Sequence, residues 1–483
     1  MADFNELVEL REEEREPSGP VFSSSVSSVQ YSFSVKDKCL SGPPPPFSRW
    51  SFLGYLAQKL GGNFSYEPED MFTDEGCALT PSTQELLRQR VFNDLDPREV
   101  VDYHCHLVGH GDSGSQCYMH HSLKSWWNPL RRIKSAIFMG AAQVTSMEGG
   151  DIQFISRLLR LARHFVPISC TNINGSDLVV GGAVGVVSAG SSDERFVHGK
   201  LCLLPFDKFV DPLTGEEDEQ RTTFSVPNEY SLMLSREYPD LFIAFGSVNP
   251  YRSDAIQRLQ HLSELGVNVI KWLPNSMGID PSDERIEPFY NKMKELNMIL
   301  LVHCGEEHSV NAAYINNEYG NPLLLRRPLN CGVKIITAHC ASEGRGVDID
   351  RGDGSYETCF DLWLRLMRED RYKGLLYGDI SAICAVLRVR YLHRLIQETD
   401  IHDRLVYGSD YPVPAINVVV HTSRLVRFGL ITDEEKGSLD ELYHYNPLLF
   451  DLASKRLLRG PNGEQFPAAL FKAHPNLPPA AHH

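Results

Sequence analysis

The stretch VVDYHCHL at residues 100–107 decides the fold of this chain. It has the apolar composition of a buried strand, and His104 and His106 lie two residues apart near its end. Alternate residues of a strand face the same side, so both imidazoles are expected to point in one direction. From this stretch onward, short apolar strands alternate with helical patterns.

Seven further segments read as strands in the same way. They are KLCLLPF (200–206), LFIAFGSV (241–248), NVIKWL (268–273), MILLVHC (298–304), VKIITAHC (333–340), GLLYGDISA (374–382) and RLVYGSD (404–410). Between them lie amphipathic runs such as SDAIQRLQHLSELG, ERIEPFYNKMKELN, FDLWLRLMRED and VRYLHRLIQETD. Eight strands interleaved with helices indicate a parallel α/β architecture, either an open doubly wound sheet or a closed barrel.

Polar residues at the strand ends separate these two architectures. Lys271, His303, His339 and Asp410 each lie at or near the end of a later strand. Their separations are 303 − 271 = 32, 339 − 303 = 36 and 410 − 339 = 71 residues, which match one, one and two strand–helix units. In a barrel these groups converge at one mouth, whereas an open sheet spreads them along an edge. The sequence therefore predicts a (β/α)₈ TIM barrel.

The spacing also predicts a large insertion. His106 and Lys271 are 271 − 106 = 165 residues apart, more than three such units. We place the extra residues mainly at 107–195, after the first strand, and at 211–235, on the ligand-facing side. The expected domains are an N-terminal extension (1–97, partly disordered and then helical), the barrel (98–455) and a C-terminal tail (456–483).

Composition narrows the choice of partners. The hydrophobic fraction is 42% and the charged fraction 23%, typical of a soluble globular protein. A formal charge of −16 would repel nucleic acid and anionic membrane, so we expect neither as a partner. Eleven cysteines without a CxxC pair, an acidic N-terminus and no long apolar run predict a cytoplasmic protein. A small-molecule substrate is expected, and a homodimer is compatible with the helices and inserted segments.

Several of these stretches together resemble the amidohydrolase superfamily, and specifically its amidohydrolase-related branch. The stretches are DYHCHL (102–107), IKWLPNSMGIDP (270–281), LVHCGEEH (301–308), ITAHCAS (336–342), YGDISA (377–382) and YGSDYPVP (407–414). The resemblance covers roughly residues 98–455. The resemblance depends mostly on the order of three features along the chain: an HxH motif, two later histidines at strand ends, and a GSD motif near the end.

The resemblance implies a divalent metal and its ligands. His104 and His106 correspond to the first-strand pair, His303 and His339 to the histidines after strands five and six, and Asp410 to the eighth-strand aspartate that also serves as catalytic base. Imidazole and carboxylate ligands suit Zn²⁺, with Mn²⁺ or Fe²⁺ as alternatives, and Zn²⁺ lowers the pKa of bound water to about 7.

Lys271 leaves two alternatives open. In binuclear relatives a fourth-strand lysine is carboxylated and bridges two metals. In mononuclear relatives a lysine on this strand does not ligate, and Lys271 would then be a cation that contacts a metal ligand or the substrate. The resemblance accordingly implies one or two ions per chain. Lys271 is counted among the candidate metal residues on this basis.

Three functions remain open on the sequence. The first is hydrolysis of an amide, ester or lactone bond of a small molecule by a metal-bound hydroxide. The second is non-oxidative decarboxylation of an aromatic or unsaturated acid with a single metal. The third is a metal-binding scaffold without catalysis.

Some other residues have a functional and a structural interpretation. His110 follows the first strand in a Gly- and Ser-rich loop, Asn275 follows the fourth strand, and Arg326 precedes the sixth, so each is a candidate for substrate binding. Asp379 on the seventh strand either orients a ligand or bonds loop amides. The cysteines beside the metal histidines are expected to point outward to the helix layer, because neighbours on a strand face opposite sides.

Overall fold

A computed structural model describes residues 72–73, 76–77, 79–125, 127, 129–144, 146, 148–173, 196–308, 313–416 and 419–479. Residues 1–71 of the expected N-terminal extension and residues 174–195 of the expected insertion lie outside these residues. No helix in the described part is long and apolar enough to cross a membrane.

Eight parallel strands form the centre of the molecule, as the sequence predicted. They are β1 (Val101–His106), β2 (Lys200–Leu204), β3 (Phe242–Ala244), β4 (Val269–Trp272), β5 (Ile299–Val302), β6 (Lys334–Thr337), β7 (Leu376–Asp379) and β8 (Leu405–Val406). β1, β2 and β3 pair in that order, and β4 to β8 pair in that order. Every pairing within these two groups is parallel.

Backbone hydrogen bonds close the two groups into one barrel. Gly246 N–H donates to Val269 O at 2.8 Å, and Lys271 N–H donates to Gly246 O at 2.7 Å, which joins β3 to β4. Tyr103 N–H donates to Tyr407 O at 2.9 Å, and Asp410 N–H donates to His104 O at 2.7 Å, which joins β8 to β1. The expected (β/α)₈ barrel is therefore confirmed, with its strands in sequence order.

The α-helices surround the barrel and follow the strands. Their bounds are α1 (Pro81–Leu86), α2 (Pro129–Ala141), α3 (Gly150–Arg163), α4 (Asn228–Glu237), α5 (Ala255–Glu264), α6 (Pro274–Met277), α7 (Glu287–Glu295), α8 (Arg326–Asn330), α9 (Cys359–Met367), α10 (Leu392–Gln397), α11 (Thr422–Arg427), α12 (Asp433–Tyr445) and α13 (Pro447–Leu457). Two of them, α2 and α3, lie within the predicted insertion after β1.

Local sequence explains where individual helices begin. Thr358 caps α9, because its hydroxyl accepts the backbone N–H of Asp361 at 3.1 Å. Thr432 and Glu435 form a reciprocal capping box at the start of α12. Each cap satisfies donors that the first helical turn would otherwise leave without partners.

The apolar residues divide into two layers. Inward-facing side chains such as Tyr103, Leu301 and Tyr377 fill the barrel interior. The larger layer lies between the strands and helices and includes Cys105, Cys304, Cys340 and Trp272. The three thiols beside the candidate histidines thus pack outward, as strand alternation predicted.

The segment after α13 covers the amino-terminal end of the barrel. Leu477 is fully buried among the interior side chains. The hydroxyl of Tyr103 donates to Leu477 O at 2.9 Å and accepts the backbone N–H of His474 at the same distance. Asn268, just before β4, donates from its amide to Pro478 O at 2.8 Å. The barrel is therefore closed at the end opposite the candidate site.

Candidate metal centre

The carboxyl ends of the strands deliver the candidate ligands into one cavity of about 440 Å³. The cavity is lined by all six residues that the sequence named as candidate metal residues: His104, His106, Lys271, His303, His339 and Asp410. Ligand atoms of His104, His339 and Asp410 all lie within 4.8 Å of one another, and all three side chains are buried. Among the described residues around this cavity, these three form the group that could hold a metal ion.

His106 and His303 flank that group. His106 Nε2 lies 2.8 Å from Asp410 Oδ1, and the His106 ring stacks on Phe206 with 5.2 Å between centroids. The His303 ring makes an edge contact with His339 at 5.4 Å between centroids. His303 Nε2 lies 3.5 Å from Glu307 Oε2. The structure thus brings all five predicted ligands together, three of them in the central group.

Two of the candidate ligands have left-handed backbone conformations. The φ angle is 56° at His339 and 65° at Asp410. Residues other than glycine adopt such values rarely, and strained residues of this kind cluster at functional sites. At Asp410 the conformation accompanies the hydrogen bond from its N–H to His104 O, so the β8 end is fixed against β1.

Asp379, at the end of β7, orients two of the histidines. His104 Nδ1 donates to Asp379 Oδ2 at 2.8 Å, and the His339 backbone N–H donates to Asp379 Oδ1 at 2.9 Å. His339 Nδ1 in turn donates to the carbonyl of Ser381 at 3.0 Å. With both Nδ1 atoms engaged as donors, each ring keeps an Nε2 lone pair for a metal. Asp379 Oδ1 also accepts the backbone N–H of Ser381 at 3.0 Å, so the structure shows both roles considered for Asp379: it orients a candidate ligand and bonds loop amides.

Burial keeps the imidazoles neutral. It lowers the pKa of His104 and of His303 to about 4, and the pKa of His339 well below its usual value. Burial alone would raise the pKa of the Asp410 carboxyl, but His339, His106 and His104 hold that pKa well below its usual range. Neutral imidazoles beside an ionised carboxylate are in the protonation states that metal binding requires.

Lys271 also reaches the centre of the group. Its Nζ lies 3.2 Å from His104 Nε2, and the side chain is buried. Burial lowers the pKa of its ammonium to about 8, although the charges of Asp379 and Asp410 act in the opposite direction. The lysine is therefore placed where either of its two expected roles is within reach.

The three residues suggested for substrate binding lie elsewhere. His110 N–H donates to Asp151 Oδ1 at 2.7 Å, which ties the loop after β1 to α3. Asn275 donates from its amide to Gly305 O and to Asn317 Oδ1, each at 3.0 Å. Arg326 is held by Asp350 and, at 2.7 Å, by Glu369. None of the three lines the cavity, because each is already engaged in holding loops or helices together.

The cavity uses other residues that the sequence did not single out. Glu343 and Arg388 line it, and they form an ion pair of 2.9 Å. A wall of apolar side chains includes Phe138 from α2 and Ile416 after β8. Arg388 lies nine residues after the end of β7. The sequence signal for it is a cationic side chain in a loop that follows a barrel strand. Phe138 comes from the insertion after β1, whose sequence shows no interpretable pattern.

The architecture of this chain is a closed (β/α)₈ barrel that carries a His–His–Asp group at the carboxyl ends of its strands. A protein-family model described as amidohydrolase matches residues 204–416, from the end of β2 to beyond β8. The matched part of the chain lies within the stretch whose sequence resembles the amidohydrolase superfamily, and the match agrees with that resemblance. No curated protein matches the chain.

Several solved structures resemble the chain at low sequence identity. An uncharacterized TIM-barrel protein from Bordetella bronchiseptica is 12% identical, with 73% of this chain and 99% of that chain covered and a TM-score of 0.40. A protein from Pseudomonas putida proposed to be a 2-pyrone-4,6-dicarboxylic acid hydrolase is 15% identical, with 73% and 98% covered and a TM-score of 0.36. The 5-carboxyvanillate decarboxylase of Novosphingobium aromaticivorans, solved with manganese, is 15% identical, with 51% and 74% covered and a TM-score of 0.28.

Proposed function

We propose that this chain is a metal-dependent hydrolase that cleaves an amide, ester or lactone bond of a small molecule. The observation that carries the proposal is the group formed by His104, His339 and Asp410, whose ligand atoms lie within 4.8 Å of one another beside a cavity of about 440 Å³. A cavity of this volume suits a small molecule rather than a polymer.

The donor set fits a divalent ion. His104 would present its Nε2, His339 an imidazole nitrogen, and Asp410 a carboxylate oxygen. Two imidazoles and a carboxylate are ligands typical of a catalytic Zn²⁺ site, and we propose Zn²⁺, with Mn²⁺ or Fe²⁺ as alternatives. A bound ion of this kind would polarise the scissile carbonyl and lower the pKa of water to about 7.

The chain's own residues would handle the protons. Asp410 is ionised at neutral pH and borders the cavity, so it can accept a proton from the attacking water and pass it to the leaving group. Asp379 holds the His104 ring in the orientation that leaves Nε2 facing this carboxylate, with Nε2 at 3.4 Å from Asp410 Oδ1. The apolar wall excludes bulk water from the same space.

The proposal is tested on purified protein. Its metal content is measured by elemental analysis, the metal is then removed with a chelator, and activity is followed on a panel of esters, lactones and amides. We expect activity to disappear with the metal and to return with Zn²⁺ or Mn²⁺. A metal-free protein whose activity no divalent ion affects would contradict the proposal.

A second candidate function is decarboxylation with a single ion. It is favoured by the completeness of the His104–His339–Asp410 group without Lys271, which makes a second ion unnecessary. Release of CO₂ from aromatic acids at one metal per chain would support it. A carboxylated Lys271, detected as a ¹³C carbamate signal together with two metals per chain, would exclude it. Full metal occupancy without turnover of any substrate would indicate a scaffold.

A further inference from the structure

The cavity has an apolar wall facing the metal group. Phe138 and Met139 come from α2, Val413 and Ile416 follow β8, and Phe206 follows β2. Burying apolar ligand surface against such a wall stabilises a complex by roughly 25 cal/mol per Å². A ligand that uses the whole cavity therefore has an apolar body of substantial size.

A cation stands apart from the metal group in the same cavity. Arg388 lies in the loop after β7, and its side chain is 13% exposed. Its Nη2 is 2.9 Å from Glu343 Oε2, while its Nε is buried and has no hydrogen-bond partner among the residues that the structure describes. Glu343 is shared, because its Oε1 also lies 3.2 Å from His308 Nε2. Because Arg388 lines the cavity and shares Glu343 with His308, its guanidinium is available to a ligand there.

Arg388 lies in the same cavity as two of the candidate metal ligands. His303 and His339 line that cavity together with Arg388. A ligand that fills the cavity can therefore contact Arg388 and still reach these two candidate ligands. Guanidinium forks match carboxylates geometrically, and a buried guanidinium with an unused donor favours an anion over a neutral group.

We propose that Arg388 binds a carboxylate of the substrate while the wall formed by α2, Val413, Ile416 and Val419 holds its apolar body. The substrate class is thus an apolar-bodied monocarboxylate that carries the bond to be cleaved. This inference rests on the proposed function, because it takes the cavity as the place of reaction. Glu343 argues against a dianionic phosphate. Its carboxylate lies 2.9 Å from Arg388 and would repel a dianion at that cation more strongly than a monoanion.

The test is calorimetric titration of the metal-loaded protein with four simple probes: 4-phenylbutyrate, 4-phenylbutan-1-ol, acetate and phenyl phosphate. We expect 4-phenylbutyrate to bind best, because it alone offers both a single negative charge and an apolar body. Arg388→Gln should weaken its binding by about tenfold or more, as expected for loss of a charge-assisted pair. Arg390→Gln, which changes an exposed arginine two residues away, is the matched control and should leave binding unchanged.

Two further variants keep the test decisive. Glu343→Gln removes the competitor for Arg388 and should tighten binding of 4-phenylbutyrate. If Arg388→Gln fails to fold because Glu343 is left as an uncompensated buried charge, the double variant Arg388→Gln/Glu343→Gln removes that charge and is titrated instead. Phe138→Ala should weaken 4-phenylbutyrate several-fold and leave acetate unaffected, because only the apolar contact is lost.

Several outcomes would overturn the inference. They are equal binding of the alcohol and the carboxylate, tighter binding of phenyl phosphate, and binding that is insensitive to Arg388. The result is also separate from the proposed function. Arg388-dependent binding in a protein that holds no metal and hydrolyses nothing would sustain this inference and contradict the hydrolase, whereas metal-dependent turnover without Arg388 dependence would do the reverse.

Discussion

The imidazole Nδ1 of His104 lies 2.8 Å from Oδ2 of Asp379, and both side chains are fully buried. The partners are 379 − 104 = 275 residues apart in the chain and meet because β1 and β7 both end at the same mouth. The same carboxylate accepts the backbone N–H of His339. One aspartate thereby aligns two candidate metal ligands that arrive on different strands.

Replacing this aspartate should weaken metal binding without removing a ligand. We expect Asp379→Asn to lower the metal affinity by about 10–100-fold, because His104 loses the acceptor that fixes its ring and tautomer. The affinity is measured by competition with a chromogenic chelator. Asp370→Asn, which changes an exposed carboxylate between β6 and β7, is the control. Equal affinities in Asp379→Asn and wild type would show that the His104 contact does not support metal binding.

Asp410→Asn should reduce turnover through loss of the proton acceptor, rather than through loss of metal affinity as in Asp379→Asn. The variant keeps a similar shape but lacks the proton acceptor, so we expect a loss of about 10²–10⁴-fold in kcat at saturating metal. Asp403→Asn, an exposed position just before β8, should behave as wild type. Wild-type turnover by a fully metal-loaded Asp410→Asn protein would assign the proton transfer to another residue.

The buried histidines should make the metal-free protein sensitive to acid. Burial lowers the pKa of His303 to about 4, whereas the unfolded chain has a value of about 6.5. Below pH 6.5 the unfolded state binds the extra proton, so this histidine costs stability as the pH falls towards 4. Its contribution to the slope is at most about 1.4 kcal/mol per pH unit.

The His303 contribution can be isolated by difference. Urea unfolding of the metal-free protein is followed between pH 7 and pH 4 for wild type, His303→Gln and the exposed-site control His444→Gln. The free energy of unfolding should fall less steeply with acid in His303→Gln than in the other two. Identical slopes for all three proteins would mean that His303 is already protonated, or freely hydrated, in the folded state.

Stability should also depend on the segment that closes the barrel. Leu477 is fully buried in the interior cluster, and we expect Leu477→Ala to cost about 2–5 kcal/mol in the free energy of unfolding. Leu213→Ala, at a site that is 87% exposed, should change it by less than about 0.5 kcal/mol. Equal stability of the two variants in chemical denaturation would mean that the tail contributes nothing to the barrel.

The sequence predicted the barrel and the candidate ligands because both follow simple local rules. Strand alternation predicted that the thiols beside the candidate histidines point outward. The spacing of the strand ends predicted that His303, His339 and Asp410 lie at one end of the barrel. Such positions depend on the repeated strand–helix unit, which a single sequence displays directly. The closure of β8 onto β1 needed the structure, since it depends on hydrogen bonds between the two ends of the domain.

Substrate-side residues were not predictable in the same manner. Arg326 looks available in the sequence, but Asp350 and Glu369 engage it across loops that are distant in the chain. Arg388 lies in the loop after β7, and its position at the cavity becomes visible only in the fold. Loop side chains have no periodic pattern, so their neighbours are decided by tertiary packing.

The closed amino-terminal end of the barrel has a kinetic consequence. Leu477 and the interior side chains block passage along the barrel axis, so every molecule reaches and leaves the metal group from the carboxyl-terminal side. Substrate and product therefore use the same opening of the cavity and cannot pass through it at the same time. A product that dissociates slowly would compete directly with the next substrate. The residues around that opening would therefore affect the turnover rate as well as the substrate specificity.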